Sequence, residues 1–158
     1  MTKRGLSAEE RFWMKVTKTE GCWEWVGAKD TAGYGAFNFK GRVRGSHRVA
    51  WELMRGDIPE GMFIDHLCHN PACVNISHLR LATPKQNVEH RAGAQANSKT
   101  GVRGVSWDAA RSKWAGQVMH KGKKYHAGRF NRIEDAEAAV IATRNKLFTH
   151  NDRDRRAA

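Results

Sequence analysis

The spacing of apolar positions changes several times along this chain, and each change marks an element. In "SAEERFWMKV", Ser7 stands three residues before Glu10, the pattern of a capping box, and predicts a helix from about Ala8 to Val16. "GCWEWVGAKDTAGYGAFNFKGRVRG" then alternates around Tyr34, Phe37 and Phe39 between Gly-rich turns, which predicts a meander of short strands. "SHRVAWELM" returns to a helical pattern that closes at Gly56 and Pro59. Thr83 followed by Pro84 starts another helix in "ATPKQNVEHR". Small and polar residues from Ala92 to Thr100 predict a linker. Beyond it, "VRGVSWD", "KWAGQVMHK" and "KKYHAGRF" alternate as three strands, with Gly122 in the tight turn between the last two. In "NRIEDAEAAVIATRNKLF", Ile133, Ala136, Val140, Thr143 and Leu147 share one helical face, and Asn131 with Glu134 supplies the start signal. The expected organisation is α+β: a first domain over 1–91, the linker 92–100, a three-stranded antiparallel sheet with one helix over 101–148, and a frayed basic tail over 149–158.

Charge narrows the class of partner. Twenty-eight Lys and Arg face sixteen Asp and Glu, a net charge of +12. An excess this large favours a polyanion, most often nucleic acid, because bound phosphates release counterions. No apolar run reaches the length of a membrane span, and the N-terminus has no signal-peptide pattern, so a cytoplasmic protein without a membrane partner is expected. Three cysteines are an odd number and make no disulfide framework, which leaves reduced thiols able to bind metal.

The candidate chemistry is concentrated in "IDHLCHNPACVNISHL", residues 64 to 79. Four residues separate Cys68 from Cys73, and His78 lies five beyond, a metal-ligand spacing with donors that suit zinc. A tetrahedral site needs a fourth ligand, and the candidates are Cys22 and His69. Just before this cluster, Asp65 and His66 place a carboxylate beside an imidazole able to act as a general base near neutral pH.

"DHLCHNPACVNISHLRLATPKQN" resembles the ββα-metal finger of the HNH and His-Cys box homing endonucleases. "RFWMKV", "GCWEWVGAKD", "GYG" and "SHRVAWEL" are similar to the phage members of that family. The resemblance implies that His66 is the general base and that Asn87, twenty-one residues later, binds a catalytic Mg²⁺ or Mn²⁺, with Asp65 as a second metal ligand. It implies that Asn75 orients His66, and that Cys22, Cys68, Cys73 and His78 hold a structural Zn²⁺. Arg42, Arg44 and Arg48 are candidates for the scissile phosphate or the DNA backbone. The second cysteine-rich cluster of some family members is absent, so the chain implies no dimer built on one; nicking by a monomer and double-strand cutting by a dimer both stay open.

"TGVRGVSWDAARSKWAGQVMHKGKKYHAGRF" with the following Ala-rich helix resembles the DNA-binding domain of the plant ethylene-response factors. The resemblance implies a three-stranded sheet laid in the major groove of double-stranded DNA, with the helix behind it. By alternation, Val105, Trp107, Trp114, Val118, Tyr125, Ala127 and Phe130 face the helix, while Gly104, Ser106, Gln117, Met119, Lys121, Lys124 and His126 face the DNA. Arg103, Arg111 and Arg129 stand near the strand ends. Gln117 could read an adenine edge, an arginine a guanine, and the lysines phosphates. The expected function is a site-directed, phage-encoded DNA endonuclease acting in a bacterial host. The competing one is a zinc-stabilised, non-catalytic DNA-binding regulator. An RNA partner fits the charge but not the sheet, because the A-form major groove is too narrow to read.

Overall fold

The computed structural model describes residues 5–91, 93–95 and 97–156, in two compact units, Met1–Pro84 and Lys85–Ala158. Ala92 and Ala96 of the expected linker, and the last two residues of the expected tail, lie outside the described residues.

The first unit opens with helix α1, Ala8–Trp13. Its capping box is formed: the Glu10 amide donates to Ser7 Oγ at 3.1 Å, and the Ser7 amide donates to the Glu10 carboxylate at 2.7 Å. The helix ends three residues before the sequence expectation. Val16 leaves it to join strand β1, Val16–Thr17, opposite Trp25 of β2, Glu24–Trp25. The hairpin β3, Ala36–Phe39, and β4, Arg42–Gly45, runs directly into α2, Ser46–Arg55. These elements close around Phe12, Trp25, Phe37, Phe39, Val49, Ala50 and Val74. Phe12, Trp25 and Phe37 pack mutually, with ring centroids 5.1 to 5.7 Å apart. Gly35 is required here: a Cβ would come 2.4 Å from the Trp25 ring and 2.2 Å from Ser46 Oγ. The close approach lets the Ser46 amide donate to the Gly35 carbonyl at 2.7 Å and pins the start of α2. A second hairpin, β5, Phe63–His66, and β6, Leu79–Ala82, completes the unit.

The second unit begins within helix α3, Pro84–Glu89, and continues with β7, Val105–Asp108, β8, Lys113–His120, and β9, Lys123–Phe130. The three strands form an antiparallel sheet in that order. Helix α4, Ile133–Leu147, packs on it through Ala136 and Val140 against Val105, Val118 and Phe148. Gly104, at φ +83°, is another glycine the fold requires: a Cβ would lie 2.7 Å from the Gln117 carbonyl.

Three expectations change in this unit. Arg132, not Asn131, is the residue before α4, and no side chain caps that helix. Trp107 is 49% exposed: it stands opposite Trp114 on β7 and β8, meets that ring's edge 4.9 Å away, and is not among the residues of the core beneath α4. The tail is not frayed over Asp152–Arg156, which forms helix α5. The Asp154 carboxylate accepts from buried Arg144 at 2.6 and 3.2 Å, and buried Asn151 donates to Asn145 at 2.6 Å. A buried cation with both a carboxylate and the Arg103 carbonyl, 3.1 Å away, is satisfied enough to anchor a terminal helix.

Candidate functional site

Strands β5 and β6 are short, and each ends where the chemistry begins. Their register sets Asp65 opposite Arg80 and His66 opposite Leu79. Asp65 and His66 are each 6% exposed. Arg80 Nε donates to Asp65 Oδ2 at 2.9 Å, which supplies this buried carboxylate with a cation. Sequence reasoning missed Arg80, because only the strand register shows which arginine faces which carboxylate. The His66 Nε2–H donates to the Cys73 carbonyl at 3.0 Å. A carbonyl only accepts, so the neutral ring carries its proton on Nε2 and its basic lone pair on Nδ1. The Nε2 nitrogen is held by the Cys73 carbonyl. Asn75 donates to the Gly21 carbonyl at 2.7 Å and accepts from the Ser77 amide at 3.0 Å. It ties the loop to the segment that carries Cys22.

The loop between β5 and β6 is laced to the N-terminal strands. Trp25 donates its amide to the Ala72 carbonyl at 2.9 Å, Val74 donates to Trp23 at 2.8 Å, and Asn70 donates to Glu24. Glu24 and Cys73 form an isolated antiparallel bridge. This lacing brings Cys22 to Cys68, Cys73 and His78, whose ligand atoms all lie within 4.8 Å of one another. Cys22, not His69, takes the fourth place. His78 Nδ1 lies 3.6 Å from both Cys22 Sγ and Cys73 Sγ. A tetrahedral zinc with ordinary Zn–S and Zn–N bonds sets that edge at about 3.6 Å. The Asn75 amide also donates to Cys73 Sγ at 3.4 Å, a contact that suits a thiolate. Burial pushes the Cys68 thiol up, and the Cys73 thiol up to about 12. The four residues fit a metal ion of the zinc type in number, chemistry and spacing.

Two more rings stand beside His66. The His47 ring centroid is 5.0 Å from that of His66, and the Tyr34 centroid is 5.2 Å from His47 and 5.8 Å from His66. Sequence reasoning named neither in the site. The candidate arginines separate. Arg44 forms a two-pronged ion pair with Glu52, one prong at 2.6 Å, and is committed to the fold. Arg42 is exposed on β4 and Arg48 half-buried on α2. Asn87 lies on α3, in the second unit.

The open face of the C-terminal sheet carries part of the expected set. Ser106, Met119, Lys124 and His126 are exposed on it; Lys121 is exposed in the turn between β8 and β9, at φ +49°, rather than on the face; Gln117 is half-buried beside a bulge between Gly116 and Gln117. Gly104 acts through its backbone, accepting from the Gln117 amide at 2.8 Å. Arg111 and Arg129 share the Asp108 carboxylate at 3.3 and 2.8 Å. Arg103 is turned inward. It donates to the carbonyls of Val88, Glu89 and Arg91 at 3.1, 3.2 and 2.6 Å, closing the end of α3. Burial, with Arg144 nearby, draws its guanidinium down to about 10, still charged at neutral pH. Arg103→Ala should therefore lower the melting stability of this unit by about 1–3 kcal/mol and leave the salt dependence of DNA binding unchanged. Lys124→Ala should do the reverse, reducing that salt slope by about 1 without a stability loss. Thermal melts and salt titrations of both variants check the contrast.

The class follows from comparison with known proteins. Residues 44–89, which hold β5, His66 and three of the four cluster residues, match the family model described as HNH endonuclease. Among curated proteins, protein 3.8 of Escherichia phage T7 is 36% identical over 101 residues, which cover 64% of this chain and 82% of that protein. Protein 7.7 of the same phage is 43% identical over 70 residues, 44% of this chain and 54% of that one. A mimivirus protein described as an uncharacterized HNH endonuclease is 39% identical over 61 residues, 38% of this chain and 32% of its own length. The chain belongs to the family of phage T7 protein 3.8 and carries an HNH endonuclease domain. It spans only about half the length of protein 7.7. No solved structure gives a significant match. Among the described residues, no helix is long and apolar enough to cross a membrane.

Proposed function

We propose that the protein is a site-directed DNA endonuclease of the homing type, with a His general base in the first unit and a DNA-reading sheet in the second. The observation that carries this reading is the tautomer of His66. Its Nε2–H is spent on the Cys73 carbonyl, so the neutral imidazole keeps its basic nitrogen at Nδ1 inside an HNH domain. His66 Nδ1 takes a proton from water as the oxygen bonds to phosphorus. The bond from phosphorus to the 3′-oxygen breaks, and that oxygen takes a proton from solvent. The products are a 5′-phosphate and a 3′-hydroxyl. Asp65 offers the hard oxygen donors that Mg²⁺ or Mn²⁺ takes and shares its carboxylate with Arg80, and Asn87 is the second donor that the family resemblance implies. A divalent ion bound there would supply Lewis-acid stabilisation of the phosphate and the departing oxygen. The Cys22, Cys68, Cys73 and His78 set would hold structural Zn²⁺, and so fix the Cys73 carbonyl that orients the base.

On the same reading, Ser106, Gln117, Met119, Lys124 and His126 of the sheet, with Lys121 in its turn, face the major groove, as in the ethylene-response-factor domain. The test is conversion of supercoiled plasmid and of source-genome DNA. Open-circular or linear product that requires added Mg²⁺ or Mn²⁺ is the expected result. Tight DNA binding without cleavage of either DNA would establish the non-catalytic regulator instead.

A further inference from the structure

His47 is the least explained polar group of the first unit. It is the second residue of α2, and its ring is folded back over the helix start: a Cβ on Gly45 would come 2.8 Å from His47 Cε1. His47 Nδ1 is buried and has no hydrogen-bond partner among the described residues. Among the described residues the fold thus gains no hydrogen bond from Nδ1, and an apolar ring would pack there without the cost of desolvating that nitrogen. What the imidazole alone offers is its other nitrogen, Nε2, on a ring whose centroid lies 5.0 Å from that of the candidate base. Tyr34 flanks both rings and completes a wall of three.

We propose that His47 is a second substrate-contacting residue of the nuclease site, an imidazole whose Nε2–H donates to a non-bridging oxygen of the phosphate under attack. This rests on the nuclease reading above. The charge state supports it: burial, with His66 and Arg48 nearby, draws His47 down to about 3 against the opposing pull of Asp30, so the ring is neutral where the enzyme works. Neutrality matters beside a general base. A cation 5 Å away would make it harder for His66 to accept a proton, whereas a neutral donor stabilises the phosphorane oxygens and leaves the base intact. The proton and bond changes are those already given. His47 transfers no proton, and its hydrogen bond strengthens as charge builds on the phosphate oxygen.

The experiment uses the full-length, zinc-loaded protein on a DNA that the wild type cleaves. His47→Ala, His47→Gln and His47→Asn are compared for kcat, KM, zinc content and melting temperature. The Gln amide nitrogen reaches the place of Nε2; the Asn amide stops at that of Nδ1. The expected result is a loss of about a hundredfold in kcat for His47→Ala, with little change in KM or zinc, since one preorganised donor is worth about that much. His47→Gln should recover about tenfold over His47→Asn, a difference that a purely structural role would not produce. Two results would overturn the proposal: wild-type kcat in His47→Ala, or equal rates in the Gln and Asn variants. If His47→Ala fails to fold, the Gln and Asn pair still decides. A wild type that cleaves no DNA would overturn the nuclease reading, and this proposal with it. A cleaving wild type with an unaffected His47→Ala would overturn this proposal alone.

Discussion

His66→Ala is expected to lose cleavage by about 10²–10⁴-fold, the usual contribution of a positioned general base. DNA affinity and zinc content should stay at wild-type levels. The reason lies in how the imidazole is held. Its Nε2–H is engaged by a backbone carbonyl within the loop, and the imidazole itself is no member of the cluster, so the substitution takes away the proposed base and leaves all four cluster residues in place. The Cys73 amide still donates to the Asn70 carbonyl, and Val74 to Trp23, so the loop keeps its other ties. The measurement is single-turnover cleavage of a fixed substrate, with binding followed separately by fluorescence anisotropy. A variant that cleaves at the wild-type rate would remove His66 from the mechanism. One that loses binding as well would make it a structural residue.

The second large effect concerns the cluster. Cys73→Ser is expected to strip the first unit of its metal and of its cooperative melting transition. Structural zinc sites contribute on the order of 10 kcal/mol of apparent binding energy, comparable with the whole stability of a small domain. The core around Phe12, Trp25 and Phe37 takes only Val74 and the flanking Ile76 from the β5–β6 loop, whose remaining ties run to the strand that follows Cys22. Without the metal, burial favours neutral thiols, and the backbone lacing to Trp23 and Trp25 is left to hold the four residues without the bonds of the ion. Removal of zinc by a chelator should give the same loss, reversed by added Zn²⁺. Zinc content by atomic absorption and a circular-dichroism melt check both. His78→Cys, which keeps four zinc-type ligands, should retain metal where Cys73→Ser does not. A wild type that binds no zinc, or a Cys73→Ser variant with an unchanged melt, would end the assignment.

Much of the local structure was legible because its causes are local. The capping box at Ser7 and Glu10, the Thr83-Pro84 start of α3 and the three alternating strands after the linker are patterns within a few residues, and the chain folds them as written. The Cys/His cluster was legible for a chemical reason: cysteines are few, and a Cys pair with a nearby His has the spacing of a metal-holding set. Where expectation and structure part, the cause is a partner distant in sequence. Val16 leaves the first helix because Trp25 offers it a strand. Arg103 turns inward because the end of α3 exposes carbonyls, and Asp154 and Asn145 hold the tail. Trp107 obeys the alternation yet stays exposed, because alternation gives the face of a strand and not how far the covering helix reaches.

By itself the sequence determined the class of element at most positions, the net charge of +12 that calls for a polyanion, and the residue types able to bind metal or move a proton. It left equivalent residues unranked: Cys22 or His69 as fourth ligand, and Arg42, Arg44 or Arg48 toward phosphate. The tertiary structure chose among them. Lacing the β5–β6 loop to Trp23 and Trp25 selects Cys22, the β5–β6 register gives Asp65 to Arg80, and Glu52 claims Arg44. It also set His47 beside His66, a pairing no spacing in the chain announces. Each choice is made by chain closure over tens of residues, where packing and hydrogen-bond satisfaction decide between groups that are alike as isolated side chains.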